Sequence, residues 1–488
     1  MAAPRRIPVA TMSAYGFGQA AEGFMRMGWG VLLLFFYQQL VGVDAALVGL
    51  AIAIALIFDA VSDPIIGAWS DRLHTRWGRR HPMMLVASIP LALGFFGLFN
   101  PPDDLSDWQG FFWLLFFGVV TRLAFTFYHI PHLALGAEMA QDYDQRSTLF
   151  AYSAFGGAMS VSIAYGLITG YYFPTTPDYD PGFLNPDAYL SMSVAFSFVM
   201  AISILLCLWG TRREIPHLRE PQERPTAGIR ELAGELFIVL RNANFRAVFF
   251  GVILYAVIQG VESAFTPFLG VHFWGFTTED LFLLMFVGWF GFPIAFYLTP
   301  KLTFWFEKKY AVMIGLAAWV IAVNIPICLR LLDLPWFPGN ESPWVLIIFL
   351  AASTVGALCA PIIGASSDSM LADVADEHEL DTSIRREGVI YSVRTFSQKG
   401  AAAFGTMIGG FLLSMIDFPQ YATRGSIDAD TVWTLGMIAG PATSIFSLLA
   451  LLFYLSYRID RKRHVEITIA LDERKASAPI EFEREVAD

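Results

Sequence analysis

Charge is scarce in this chain. Only 15% of its 488 residues are Asp, Glu, Lys or Arg, against about 25% in soluble globular domains. That is too few to cover a water-facing surface. With 56% hydrophobic residues and a mean hydropathy of +0.53, lipid is the expected surrounding. Cysteine is scarcer still. Cys207, Cys328 and Cys359 lie in apolar stretches without redox or metal-ligand spacing, so they read as small core residues. Neither G-x-S-x-G nor G-x-x-x-x-G-K occurs. "HELD" at His378 lacks the second histidine of H-E-x-x-H and reads as an acidic loop, so no enzyme is indicated. The net charge of −11 sits in short loops and in the C-terminal region, and no nucleic-acid partner is expected.

Long apolar runs are what the chain has instead. A spanning helix needs roughly 20 mostly apolar residues. Candidates lie near 12–41, 45–70, 82–100, 109–136, 147–173, 188–210, 244–272, 278–302, 310–331, 343–368, 388–416 and 431–458. The first follows Arg5 and Arg6 without a small-residue cleavage site, so it reads as a retained span. The expected architecture is all-α, with twelve transmembrane helices in two pseudo-symmetric six-helix bundles. Residues 1–210 form the first bundle, 211–243 a cytoplasmic linker, 244–458 the second bundle and 459–488 a mobile charged tail. The chain is expected to be a monomer in the bilayer.

Orientation follows from the basic loops. Arg72, Arg76, Arg79 and Arg80, the linker arginines, Lys301, Lys308 and Lys309, and Arg458 to Arg463 fall on one side of a twelve-span chain. The other side holds Asp103, Asp104, Asp107, Asp178, Asp180 and Asp187. Both termini are therefore expected in the cytoplasm of a multi-pass protein of the cell (inner) membrane. Two bundles of this kind hold solute between them and rock to alternate access.

Ionisable groups inside spans mark the site, because each costs about 2.5–3.5 kcal/mol at helix centre on insertion scales. Asp59 and Asp63 stand at i and i+4 on one face of the second span. Two such carboxylates repel unless they share a proton or hold a cation such as Na⁺. Ser62 adds an oxygen, and Pro64 removes a backbone donor. The alternative is that each acid pairs with a base on a neighbouring helix and only ties the bundle. Glu22, Arg26, Arg122, His129, Glu262 and Lys399 are the candidate solute-binding or coupling groups. Glu22 and Arg26 could equally form a local i, i+4 pair. Lys399 lies mid-span among Ala and Gly, where snorkelling to either surface is hard.

The basic loop "SDRLHTRWGRRHP" suggests a cytoplasmic gate as well as a topology signal. Asp71, Arg72, Arg79 and Arg80 could pair with Glu138 and Asp142, and with Asp373, Asp376 and Arg385 from the other half.

These stretches resemble one family. "YGFG" at 15–18, "DAVSDPIIGAWSDR…RWGRR" at 59–80, "FYHIPHLALGAEMAQDYDQR" at 127–146 and "SMLADVADEHELDTSIRREGVIYSVRTFSQKG" at 369–400 are similar to the glycoside–pentoside–hexuronide:cation symporters of the major facilitator superfamily. The resemblance implies the twelve-helix major facilitator fold. It also implies a coupling ion, Na⁺ or H⁺, and no other cofactor. Asp59 and Asp63 match the family's cation-binding acids, Thr126 a hydroxyl beside them and Lys399 a nearby lysine. Ser62 stands where melibiose permease has an amide. Gly23 and His129 stand where galactoside carriers of the family have acids, and Leu133 and Ser153 replace an aromatic and an arginine. The expected function is cation-coupled symport of a sugar- or glycoside-like solute, with Arg26 and Arg122 favouring an anionic one. Lysophosphatidylcholine symporters are related to the same family, so a lysolipid is the alternative solute.

Overall fold

The structure is a computed structural model that describes residues 6–73, 75–140, 143–218, 239–382 and 387–477. Its large apolar residues point outward as well as inward. Ile89, Phe198 and Phe296 are about 70% exposed (68%, 67% and 72%), as expected of helices that face lipid rather than water.

Helix α1 is built from Val9–Gly18, Ala20–Met27, Gly28–Leu32, Leu33–Phe36 and Tyr37–Val41, the third and fifth of these being π-helical. Gly42, at φ 80°, turns the chain, and the Asp44 carboxylate caps α2, Ala45–Arg72. Then come α3, His81–Leu98, and α4, Asp107–Met139. Tyr143–Leu167 and Ile168–Tyr172 form α5, and Pro186–Thr211 forms α6. Ala243–Phe268 and Leu269–Phe273 form α7.

The next helical run, Thr278–Leu331, has 54 residues. At about 1.5 Å per residue it is roughly 80 Å long, more than twice a hydrocarbon core of about 30 Å. Glu307, at φ 66° and ψ 163°, breaks it, giving α8 (278–306) and α9 (308–331). The loop expected at 303–309 is thus reduced to one non-helical residue. Pro343–Thr382 is α10 and Glu387–Met415 is α11. Ala429–Met437, Ile438–Ala442 and Ser444–Leu455 make up α12. Among the described residues nine helical runs are long and apolar enough to cross a membrane. Counting the 54-residue run twice and adding α1 and α11, which carry the charges discussed below, gives the twelve crossings expected.

Two readings are corrected. The acidic stretch at 369–382 is not a loop but the end of α10, with Asp373 and His378 buried. The segment after Asp460 is helical, Arg461–Ser477 (α13), and buries Ile467 and Leu471 against a cluster that contains Val374 and Ala375. These two apolar residues, at i and i+4, share the face by which the charged helix docks.

Helices α1–α6 pack on one another, as do α7–α12, and α2 against α11 is the main seam between the halves. That seam is close because it is glycine-lined. A Cβ on Gly410 would lie 2.4 Å from Ala45 O and 2.9 Å from Gly49 Cα. At the end bearing the acidic loops, the halves are tied by hydrogen bonds. Gln38 Nε2 donates to Phe418 O at 2.9 Å, and Gln39 Nε2 to Pro419 O at 2.8 Å. Arg424 grips Asp180 with Nε and Nη2, at 2.9 and 2.8 Å.

Candidate functional site

The site grows from two antiparallel stripes. Glu22, Arg26 and Trp29 fall at i, i+4 and i+7 on α1, and Arg122, Thr126 and His129 fall at the same spacing on α4. Residues so spaced share a helix face. Opposite ends meet: His129 Nδ1 lies 3.5 Å from Glu22 Oε2, and the Arg122 guanidinium stacks 4.2 Å over the Trp29 ring. Glu22 therefore turns to α4, and among the described residues no ion pair joins it to Arg26 one turn along its own helix. Arg26 is exposed in mid-span. Trp29 belongs to the π-helical turn Gly28–Leu32; such bulges re-aim side chains and cluster at functional sites.

Helix α2 adds the two acids. Thr126 Oγ1 stands 2.8 Å from Asp59 Oδ1, 3.2 Å from Asp63 Oδ1 and 3.2 Å from Arg122 O. One hydroxyl hydrogen can serve only one of these acceptors at a time. Lys399 of α11 closes the group from the other half, with Nζ 3.1 Å from Asp59 Oδ2 and also bonded to Asp63 Oδ2. The three side chains are graded in exposure, at 3% for Asp59, 18% for Asp63 and 34% for Lys399. Asp63 and Lys399 thus keep an open side while Asp59 forms the floor of the group. Ser62 Oγ donates to the Asp59 backbone O at 3.0 Å instead of to a carboxylate. Pro64 leaves Ala60 O without its usual helical donor.

Two carboxylates against one ammonium leave one formal negative charge in this trio. The acids do have a base from another helix, and they share it. Glu262 lies apart on α7, exposed beside a cavity within the second half.

The residues expected at the gate form separate clusters. Arg80 bonds Asp71 at 2.5 Å, Glu138 at 2.7 Å and Ser70 at 2.6 Å, and Arg79 bonds Glu138 at 3.0 Å. Arg72, exposed, ends α2. In the other half Asp373 accepts from Lys308 at 2.6 Å and Tyr457 at 3.2 Å and lies 3.2 Å from His464. Asp376 is half-buried one turn of α10 further on. Asp142 and Arg385 lie outside the described residues.

Several partners escaped the sequence reading. Trp29 carried no signal for Arg122, because the contact is non-local. Arg394, visible in the sequence as a charge inside the eleventh span, meets the unforeseen Asp368 at 2.6 Å between α11 and α10. Arg424 could have been found as a rare base at an otherwise acidic end. Ser263 Oγ of α7 donates to Gly30 O in the π turn of α1 at 2.9 Å, across the halves.

Known proteins resemble this chain along almost its whole length. A family described as MFS/sugar transport protein matches residues 14–461. An uncharacterised symporter of Synechocystis is 26% identical over 95% of this chain and 97% of its own. The glucuronide carrier protein homolog of Escherichia coli is 24% identical over 95% of this chain and 96% of its own. The xylose transporter XylE from E. coli, solved in an inward open conformation, superposes with a TM-score of 0.59 at 15% identity, covering 95% of this chain and 98% of XylE. A twelve-crossing fold in two halves, a polar site at their seam and a family match over almost the whole length lead to one conclusion: the chain is a transporter of the major facilitator superfamily and belongs to its glycoside–pentoside–hexuronide:cation symporter family.

Proposed function

We propose that the chain carries a sugar- or glycoside-like solute across the cell membrane together with Na⁺ or H⁺, by alternating access. The observation that carries this reading is Asp59 and Asp63 sharing the single ammonium of Lys399. An entering cation or proton cancels the remaining negative charge, which lowers the cost of turning the loaded carrier through a low-dielectric seam. Arg26 and Arg122 stand on the neighbouring stripes and favour a solute with negative charge, such as a uronide. With Gly23 and His129 in place of acids, galactosyl hydroxyls lack the grip that two carboxylates would supply.

In this reading the basic end is cytoplasmic, with both termini there, and a monomer is the working unit. The two basic-end clusters, Asp71–Arg80–Glu138 and Lys308–Asp373, close on each other when the carrier turns outward. Cation and solute affinities must be reciprocally linked. The test is solute binding to the purified carrier with and without Na⁺ and across pH, using sugars, uronides and glycosides. Affinity is expected to rise with the coupling ion, and Asp59→Asn or Asp63→Asn should abolish that rise. Equal affinity under all conditions rejects coupling.

A further inference from the structure

Helix α7 carries an acid in mid-span that the aspartate site does not use. Glu262 is exposed and lines a cavity of about 20 Å³ with Ile258, Trp319, Asn324, Thr443 and Ser444. That is room for one water-sized occupant. Among the described residues lining it, none is basic.

A count of hydrogens shows what the cavity asks for. Asn324 Nδ2 spends both of its hydrogens, on Val320 O at 2.8 Å and Ser444 Oγ at 2.7 Å. Its Oδ1 is buried without a partner. Thr443 Oγ1 gives its hydrogen to Ala439 O or Gly440 O, at 3.0 and 3.1 Å, and Ser444 Oγ gives its own to Gly440 O at 2.9 Å. Asn324, Thr443 and Ser444 therefore have only oxygen lone pairs left to offer, beside a carboxylate, and Trp319 brings the indole wall. The π-helical turn Ile438–Ala442, with Pro441 inside it, shapes this wall of α12. Oxygen donors of this kind suit a small hard cation, and an uncompensated carboxylate at mid-span is costly.

We propose that this cavity is a second cation site, in which Glu262, Asn324 Oδ1 and Thr443 Oγ1 hold one Na⁺. It is separate from the aspartate pair and independent of which ion that pair takes. Ser263, the next residue, bonds Gly30 of α1, which follows Trp29 of the solute stripe.

The experiment is equilibrium dialysis of ²²Na⁺ with the purified full-length carrier. The Asp59→Asn, Asp63→Asn double variant is expected to keep a single bound Na⁺, and adding Glu262→Gln should abolish it. Thr443→Val, which leaves the carboxylate in place, should weaken this residual binding about tenfold. It also serves as the readout if Glu262→Gln fails to stay monodisperse. A double variant that binds no Na⁺ overturns the proposal and leaves the aspartate site standing. So does residual binding that Glu262→Gln and Thr443→Val both leave unchanged. If Glu262→Gln alone removes all the Na⁺ that the wild type binds, the second site stands and the aspartate pair is not a Na⁺ site.

Discussion

Lys399 Nζ lies 3.1 Å from Asp59 Oδ2, a contact between residues 340 positions apart and in opposite halves. Losing one partner of a buried ion pair costs about 3–5 kcal/mol. Lys399 is 34% exposed, and exposed pairs are worth far less, so about 1–3 kcal/mol is expected for Lys399→Met. Adding Asp59→Asn removes one of the two stranded acids. The combined loss in thermal unfolding of the detergent-solubilised carrier should then be smaller than the sum of the single losses. Additive losses would mean that the two groups do not interact.

Gly410→Leu tests the seam. A Cβ there meets Ala45 O at 2.4 Å, and backbone cannot yield as a side chain can. Overpacking of this kind costs about 1–3 kcal/mol. Solute uptake in proteoliposomes is expected to fall at least tenfold, since α2 cannot close on α11. The control Gly339→Leu, at a position with nothing within 4 Å, should transport normally.

The Asp180–Arg424 clasp is a third of the way exposed on each side, at 35% and 33%. Its worth is about 0.2–1 kcal/mol and is screened by salt. Arg424→Asp should therefore shift the conformational balance rather than unfold the protein. A cysteine introduced at Thr423 is expected to be alkylated several-fold faster in that variant. The swap Asp180→Arg with Arg424→Asp should restore the slow rate, and failure of the swap would show that the clasp is not the restraint.

Asp373→Asn should release α13. The acid is 4% exposed and gathers Lys308, His464 and Tyr457. Limited proteolysis of the variant is expected to cut within 461–477 at a rate at least tenfold above that of the wild type. Equal rates would show that Ile467 and Leu471 alone hold the helix.

Much of this was legible because membranes impose simple rules. Apolar length located the crossings, and Asp59 and Asp63 at i and i+4 announced a shared face. The resemblance pointed to Lys399. The sequence was opaque wherever a contact is non-local. Spacing proposed Glu22 with Arg26, whereas the fold brings His129 up to Glu22 from an antiparallel stripe. The polar ends of α10 and α13 looked like loop and tail because local hydropathy cannot register a buried Asp373 or two docking residues such as Ile467 and Leu471. The α8–α9 turn was hidden for a related reason. Lys308 is a good helix former that finds an acid on α10, so the helix resumes after a single strained residue.

α13 is fastened to α10 through Asp373 and through Arg474, whose Nη2 donates to Leu380 O at 3.0 Å. The anchors named belong to the second half. A fluorophore or nanobody epitope grafted on the outward residues Val465 and Ile469 would ride that half as a rigid pointer. Paired with a label on the loop after α2, it would report each turnover as a change in distance.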